Sequence, residues 1–173
     1  MTIRLLGAGD AEAYQKLRLL ALQESPTAFS AGHEDEVGRS LNDVAARIVP
    51  APDGSICMHG AFDAGELVGF VAVIHPQRAK LRHCAEIAGM FVTPSQRGHG
   101  AGKALLVAAV DRVRSIEGVR QIKLGVTAAN TAARALYESV GFACFGVEPD
   151  ALCVNGKFFG VAHYVLRLTP VDR

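Results

Sequence analysis

Hydrophobic positions recur along this chain in two periods, one typical of helices and one typical of strands. Apolar residues spaced three and four apart predict four helices, and Asp10 and Ser40 are suited to cap the first two. Shorter apolar runs predict strands, and Asn155-Gly156 predicts the turn of a closing hairpin. The predicted helices cover about 10–23, 40–48, 103–117 and 130–140; the predicted strands cover 2–6, 55–62, 67–74, 86–92, 121–126 and 144–148, with the hairpin over 152–168.

This order of elements predicts an α/β fold, in which one mixed sheet carries helices on its faces. The chain has 173 residues, which suits a single domain spanning 1–173. A domain of this size buries about 70% of the surface that its unfolded chain exposes. Since half of the residues are hydrophobic (50%), the composition supports a substantial core.

Charge and hydropathy exclude several classes of partner. The formal net charge is +1, so we expect no long-range attraction to nucleic acid or to an anionic membrane surface. The first ten residues contain no apolar segment typical of a signal peptide, and the apolar run 67–74 is too short to span a bilayer. These features predict a soluble, cytoplasmic protein.

The cysteines and histidines predict neither disulfides nor a metal site. Cys57, Cys84, Cys144 and Cys153 show no C-x-x-C spacing, so we expect small buried hydrophobic side chains in a reducing compartment. The six histidines are scattered, and none lies four positions from another on a predicted helix. We therefore expect no metal.

The densest chemical signal is the segment 97–102, with the sequence Arg-Gly-His-Gly-Ala-Gly, placed between a predicted strand and the long helix. Glycines leave the backbone N–H groups accessible, and the helix that follows adds the positive end of its dipole. Such a turn is typical of a phosphate-binding cradle. A glycine-rich connection that binds no ligand is the alternative.

Spacing separates this loop from two common phosphate motifs. A Walker A loop requires a leading glycine and a final Ser or Thr, but these positions hold Arg97 and Ala104. A dinucleotide motif that starts at Gly98 requires a third glycine where Lys103 stands. ATP binding is therefore strongly disfavoured, and the remaining pattern is R-x-x-G-x-G.

A second motif follows about thirty residues later. Asn130, Ala133, Tyr137 and the pair Gly141-Phe142 form the pattern N…A-x-x-x-Y…G-F on the predicted short helix. R-x-x-G-x-G followed by this pattern, with a strand between them, resembles the GNAT superfamily of acyl-CoA-dependent N-acetyltransferases. The resemblance extends loosely over nearly the whole chain, and it implies a central, mostly antiparallel twisted sheet flanked by about four helices.

The resemblance implies acetyl-CoA as co-substrate, with its pyrophosphate on the backbone N–H groups of the glycine loop. It also implies that the strand before the loop separates from the next strand, so that backbone amides of Met90 to Val92 pair with the pantetheine arm. Gly89 would permit a bulge in that strand. The implied cofactor-binding residues are Met90, Phe91, Val92, Arg97, Gly98, His99, Gly100, Ala101, Gly102, Lys103, Asn130 and Tyr137.

The same resemblance suggests catalytic roles for two residues. Tyr137 matches the tyrosine that protonates the departing thiolate, although an amphipathic helix also places tyrosines in a core. Glu86 stands at the offset from Arg97 at which some members place a general base, and the alternative is an exposed or substrate-orienting residue. Asn130, Lys103 and His99 have plain structural interpretations too, as a helix cap, a solvated lysine and an exposed loop residue.

The amine acceptor is not identified by any motif. Phe29, His33, Phe158-Phe159 and the acidic residues Glu34-Asp35-Glu36 are candidates for its pocket, and the acidic residues would attract a cationic amine unless they are solvated surface. The acceptor is expected to be a small-molecule or peptide amine, and a homodimer is expected by family analogy. A non-catalytic acyl-CoA-binding domain on the same scaffold is the alternative function.

Overall fold

A computed structural model describes residues 1–168; the last five residues of the predicted domain lie outside the described part. Seven strands form one sheet, and the helices lie on its two faces. Three short 3₁₀ turns occupy Ala8–Asp10, Pro26–Ala28 and Pro94–Gln96. The elements are β1 Thr2–Leu5, α1 Ala11–Glu24, α2 His33–Glu36, α3 Leu41–Ile48, β2 Ile56–Asp63, β3 Glu66–Ile74, β4 Cys84–Val92, α4 Ala101–Arg114, β5 Gln121–Thr127, α5 Thr131–Ser139, β6 Ala143–Val154 and β7 Lys157–Arg167.

The strand order is β1-β2-β3-β4-β5-β7-β6, and every neighbouring pair is antiparallel except β4 with β5. One core lies under α4 and α5, where Leu105, Leu106 and Tyr164 are fully buried or nearly so. The second core lies under α1 and α3 and includes Tyr14 and Phe70, whose rings meet edge to face. The sheet is therefore covered on both faces, which confirms the predicted fold class.

The end of the chain differs from the prediction. The predicted strand 144–148 and the first half of the predicted hairpin form one continuous strand, β6, interrupted by irregular pairing with β7 on either side of Glu148. Asp150, in the second irregularity, has a positive φ of 52° and absorbs the extra residues. Cys144 and Cys153 lie on this edge strand and are exposed, so only Cys57 and Cys84 are buried as expected.

The parallel strands β4 and β5 separate part-way along the sheet. They pair only from Cys84 with Gln121 to Glu86 with Lys123, although both strands continue. On its other side, β4 pairs with β3 through a bulge between Ala88 and Phe91, where Gly89 has a positive φ of 60°. The bulge expected at Gly89 is therefore present, and it turns β4 away from β5 to open a cleft.

Candidate active site

Three adjoining cavities follow the opening between β4 and β5. The loop-side cavity, about 420 Å³, borders the glycine loop and α5. A middle cavity of about 60 Å³ lies at the separation of the strands, and the α1-side cavity of about 370 Å³ extends to α1 and α3. Ala28 borders all three cavities, and the turn that carries it is tied to β5 by the hydrogen bond from the Thr127 hydroxyl to the Thr27 carbonyl. The cleft thus runs continuously from one face of the sheet to the other.

The glycine loop presents unpaired backbone donors to the loop-side cavity. Gly98 and Gly100 have φ angles of 78° and 87°, which a side chain would strain, and Gly100 is the N-cap of α4. The first backbone hydrogen bond of the helix is donated by Ala104 to the Gly100 carbonyl, and within residues 1–168 the N–H groups of 98–103 find no acceptor. The positive end of the α4 dipole adds to this field, so the segment fits a diphosphate.

Arg97 holds the loop in place. Its Nε donates to the Val92 carbonyl at 3.0 Å, and its two terminal nitrogens donate to the Glu24 carboxylate at 3.0 and 2.8 Å. This bidentate pair lowers the pKa of Glu24, mainly through the hydrogen bonds from Arg97. Arg97 therefore ties the end of β4 and the end of α1 to the glycine loop, and its charge is already paired.

The other side chains of the loop differ in their exposure and in whether they border the loop-side cavity. Lys103 is exposed and borders the loop-side cavity. The His99 ring is exposed and its Nδ1 lies 2.9 Å from the Arg97 carbonyl, within the loop itself. Ala101 is 1% exposed in the core under α4. Neither the His99 nor the Ala101 side chain borders the loop-side cavity, whereas the backbone N–H groups of both residues are among the unpaired donors of the loop.

The wall opposite the loop is formed by the end of β4. Met90, Phe91 and Val92 border the loop-side cavity, and Met90 also borders the middle cavity. The Val92 carbonyl is occupied by Arg97, whereas the strand edge beyond Glu86 is free of β5. A Cβ at Gly102 would lie 3.4 Å from the Met90 methyl, so glycine keeps the helix close to this wall.

Tyr137 lies where the loop-side and middle cavities meet. Its ring packs against Phe142 and Tyr164, with centroids 6.2 and 6.3 Å away, and the residue is 8% exposed. Burial raises the pKa of the Tyr137 hydroxyl to about 12. In the described part of the chain no side chain or carbonyl hydrogen bonds to this hydroxyl, so it is a protonated donor at neutral pH, available to a ligand.

Asn130 borders the middle cavity, whereas Glu86 does not and lies on the neighbouring α1-side cavity. Asn130 caps α5, with its Oδ1 accepting from the Ala133 N–H at 3.1 Å, and it borders the loop-side and middle cavities. Glu86 is exposed at the last paired position of β4 and borders the α1-side cavity. The two proposed catalytic residues, Glu86 and Tyr137, thus face different cavities, with the middle cavity between them.

A family model described as "Acetyltransferase (GNAT) family" matches residues 17–142, which include the glycine loop, Glu86 and Tyr137. The chain belongs to this family.

Relatives and solved structures agree with membership in the GNAT family. A mycothiol acetyltransferase of Paenarthrobacter aurescens (strain TC1) is 34% identical over 125 residues, which cover 70% of this chain and 38% of that protein. The chain therefore spans about two fifths of the length of this curated relative. A GNAT acetyltransferase from Streptococcus pneumoniae has the same fold, with a TM-score of 0.83, 22% identity and coverage of 96% and 99% of the two chains.

A phosphinothricin acetyltransferase from Sinorhizobium meliloti, solved in complex with acetyl-CoA, also shares the GNAT fold, with a TM-score of 0.83 and 23% identity. The match covers 96% of this chain and 88% of that chain.

Within residues 1–168 of this chain, no helix is long and apolar enough to cross a membrane. The same residues hold no cluster of three or more His, Cys, Asp or Glu arranged around a metal position.

Sequence reasoning missed one part of this candidate site. Tyr14, Arg18 and Arg47 border the α1-side cavity, and Glu36 is buried behind them at 2% exposure. The available signal was Arg18, which stands four positions after Tyr14 on the apolar face of α1. Of the three acidic residues 34–36 considered for a cationic amine, Glu36 is not available, because it is already paired with Arg39 and Arg47 at 2.6 and 2.7 Å.

Proposed function

We propose that this chain transfers an acetyl group from acetyl-CoA to a primary amine. The observation that carries the proposal is the row of unpaired N–H groups over 98–103 at one end of a cleft that continues past Tyr137 to Glu86. A diphosphate satisfies such donors, and the narrow middle cavity suits a thin chain that ends near Tyr137. Membership in the GNAT family supports the same reaction.

Each residue has one task in this mechanism. Acetyl-CoA, when bound, supplies a thioester as the acetyl donor. The glycine loop holds the diphosphate and the free edge of β4 orients the arm, while Asn130 keeps its capping role next to it. As the neutral amine nitrogen bonds to the acetyl carbon, Glu86 accepts the proton that the nitrogen loses. As the bond from that carbon to sulfur breaks, Tyr137 donates its proton to the departing thiolate, and solvent returns the proton from Glu86 to Tyr137. The products are an amide and free CoA.

Thermal unfolding with acetyl-CoA, CoA, ATP and NAD, each added separately, tests the cofactor. A ligand at about a hundred times its Kd adds roughly 2.7 kcal/mol of stability, and each kcal/mol raises the Tm of a chain this size by about 2–4 °C. We expect a rise with acetyl-CoA and CoA only. A rise with ATP or NAD instead, or none with either CoA species, contradicts the proposal.

Turnover is then measured as amide product by mass spectrometry, across a panel of amines. Reagents that detect free CoA through its thiol are unsuitable, because Cys144 and Cys153 are free and exposed. Mycothiol-related amines belong in the panel because of the name of the curated relative, although the chain spans only part of that protein. Binding of acetyl-CoA without acetylation of any amine would favour the non-catalytic acyl-CoA-binding alternative.

Replacement Glu86→Gln is expected to lower kcat about tenfold while the affinity for acetyl-CoA is unchanged, because water is able to replace an exposed base in part. The loss should be largest at low pH, where the amine is most protonated. Glu66→Gln is the matched control, since Glu66 is exposed at the start of β3 and borders none of the three cavities. An unchanged rate and pH profile would exclude Glu86 as the base.

Two further features belong to this proposal. A homodimer is supported by the exposed side chains of Phe145, Val147 and Phe158 on the β6–β7 hairpin, whose outer strand β6 is a sheet edge. Light scattering of the purified chain checks it, and a monomeric mass at all concentrations would contradict it.

A cytoplasmic location is supported by four free cysteines, and fractionation that finds the protein outside the cytoplasm would contradict it.

A further inference from the structure

Arg18 is a buried cation with almost no protein partner. The residue is 8% exposed on α1, and its guanidinium donates no hydrogen bond to any group within residues 1–168. Its Nε is fully enclosed without an acceptor, and its nearest carboxylate oxygen, on Glu36, lies 3.7 Å from a terminal nitrogen. Burying a charge that makes no hydrogen bond and only a long ion pair is costly, and a ligand carboxylate would offset that cost.

The surroundings of Arg18 keep its charge free and orient it. Its guanidinium carbon lies 4.6 Å from the centroid of the Phe29 ring, which leaves the edge of the planar group for hydrogen bonding. Glu36 neutralises Arg18 only in part, because Arg18 faces its Oε1 at 3.7 Å while its Oε2 accepts hydrogen bonds from Arg39 and from Arg47. Three arginines therefore share one carboxylate, and the excess charge is positive.

The excess positive charge faces the α1-side cavity. Arg18, Arg47 and the Tyr14 ring border this cavity, and Tyr14 is buried with no hydrogen bond recorded for its hydroxyl within the described chain. Arg18 and Arg47 both reach the Glu36 carboxylate, at 3.7 and 2.7 Å, and Tyr14 lies one turn before Arg18 on the buried side of α1. These contacts bring the three side chains to the same part of the cavity wall. Together they form a cationic, donor-rich corner, defined here as Tyr14, Arg18 and Arg47.

Glu86 lies elsewhere on the same cavity. Ile56, Ile74 and Glu86 are partners across β2, β3 and β4, and all three border the cavity on the sheet side. No ion pair joins Glu86 to an arginine in residues 1–168. The cavity thus offers a negative group on the sheet and a separate positive corner at the helices, within about 370 Å³.

We propose that the Tyr14–Arg18–Arg47 corner binds the carboxylate of an amino-acid-like acceptor, whose amine lies toward Glu86. This inference rests on the proposed acetyltransferase function. A planar guanidinium edge matches a carboxylate through two parallel hydrogen bonds, and the neighbouring hydroxyl supplies a third donor. The same corner repels polycationic amines, so polyamines are poor acceptors.

The first test compares acceptors that differ only in the carboxylate. Free L-amino acids are assayed beside their carboxamides, with spermidine as a cationic amine. The wild type should prefer the acids at least tenfold, and Arg18→Met should lower kcat/KM for the best acid about 30-fold, the value of one charged hydrogen-bond pair. Activity with the carboxamide should change less than about twofold, because it lacks the carboxylate that Arg18 would bind.

Arg114→Met is the matched control, since Arg114 is exposed on α4 and pairs with exposed Asp111. Arg18→Lys keeps the positive charge but cannot donate two parallel hydrogen bonds as a guanidinium does. This variant should lose part of the preference for acids over carboxamides. Equal rates with acids and carboxamides in the wild type, or a preference for spermidine, would overturn the proposal while the acetyltransferase function stands.

The second test does not depend on turnover. Ligand-observed NMR compares N-acetyl-L-amino acids with their carboxamides in the presence of CoA, and only the acids should bind detectably to the wild type. Arg18→Met should abolish that binding and keep or raise the Tm, because it removes a buried charge that makes no hydrogen bond and only a long ion pair. A large fall in Tm with binding of the acids retained would show that Arg18 is structural and would overturn the proposal. Failure of CoA itself to bind would instead refute the proposed function.

Discussion

Replacement Tyr137→Phe is expected to lower kcat for acetyl transfer about 100-fold, the lower end of the contribution of a general acid. The leaving thiolate then has to take its proton from water, whereas the ring still fills the same space. Because the Tyr137 hydroxyl has no recorded hydrogen bond to residues 1–168, the Tm should stay within about 2 °C of the wild type. Product formation under saturating acetyl-CoA measures kcat, and thermal unfolding measures the Tm.

Tyr164→Phe is the matched control for this prediction. The Tyr164 hydroxyl accepts from Arg134 and donates to Glu138, at 2.9 and 2.8 Å, and Tyr164 borders none of the cavities along the cleft. Loss of the Tyr164 hydroxyl in Tyr164→Phe should therefore lower the Tm while kcat is retained. The opposite pattern, with Tyr137→Phe unstable and fully active, would assign Tyr137 to the core alone.

The pH dependence follows from the raised pKa of Tyr137. With a pKa of about 12, the hydroxyl remains protonated well above pH 10, so it should cause no loss of kcat between pH 9 and 11. Unfolding lowers that pKa to its ordinary value near 10. The unfolded chain then releases this proton first, so the stability contributed by the neutral buried hydroxyl is present below pH 10 and is lost as the pH rises toward 12.

Replacement Gly100→Ala is expected to weaken acetyl-CoA binding by about 10- to 100-fold, the value of one or two charge-assisted hydrogen bonds. A Cβ at Gly100 meets no protein atom within 4 Å, so it projects into open space next to the unpaired N–H groups of the loop. There it would hold a diphosphate away from these donors. Titration calorimetry with acetyl-CoA measures the loss, and the amine KM should change little.

Gly118→Ala separates backbone strain from ligand contact. Gly118 has a φ of 82° against 87° for Gly100, and its added Cβ also meets nothing within 4 Å. Both variants pay the cost of a left-handed alanine, about 1–2 kcal/mol. If both lower the Tm equally but only Gly100→Ala weakens acetyl-CoA binding, the loop contacts the phosphates. Equal affinities in the two variants would contradict that role.

Much of the local structure was predictable because local physics decides it. Asn130 caps α5 as its side-chain chemistry suggests, and Gly100 begins α4 after a left-handed turn that other residues avoid. Other boundaries depend on partners far along the chain. The two predicted strands around residue 150 join into β6 because β7 pairs with both, through a bulge that no local pattern indicates.

The sequence by itself determined the element order, the donor-rich turn at 97–102 and the position of Tyr137 on an amphipathic helix, because each depends on neighbours within one or two turns of chain. Only the tertiary structure decided that the separation of β4 from β5 begins after Glu86, that Arg97 is held by Glu24, and that Arg18 is buried with no hydrogen bond within residues 1–168 and only a long ion pair to Glu36. These features arise from strand register and from contacts between residues up to 73 positions apart. The charge balance at a site depends on all the charged groups that folding brings together, so it cannot be predicted from neighbouring positions in the sequence.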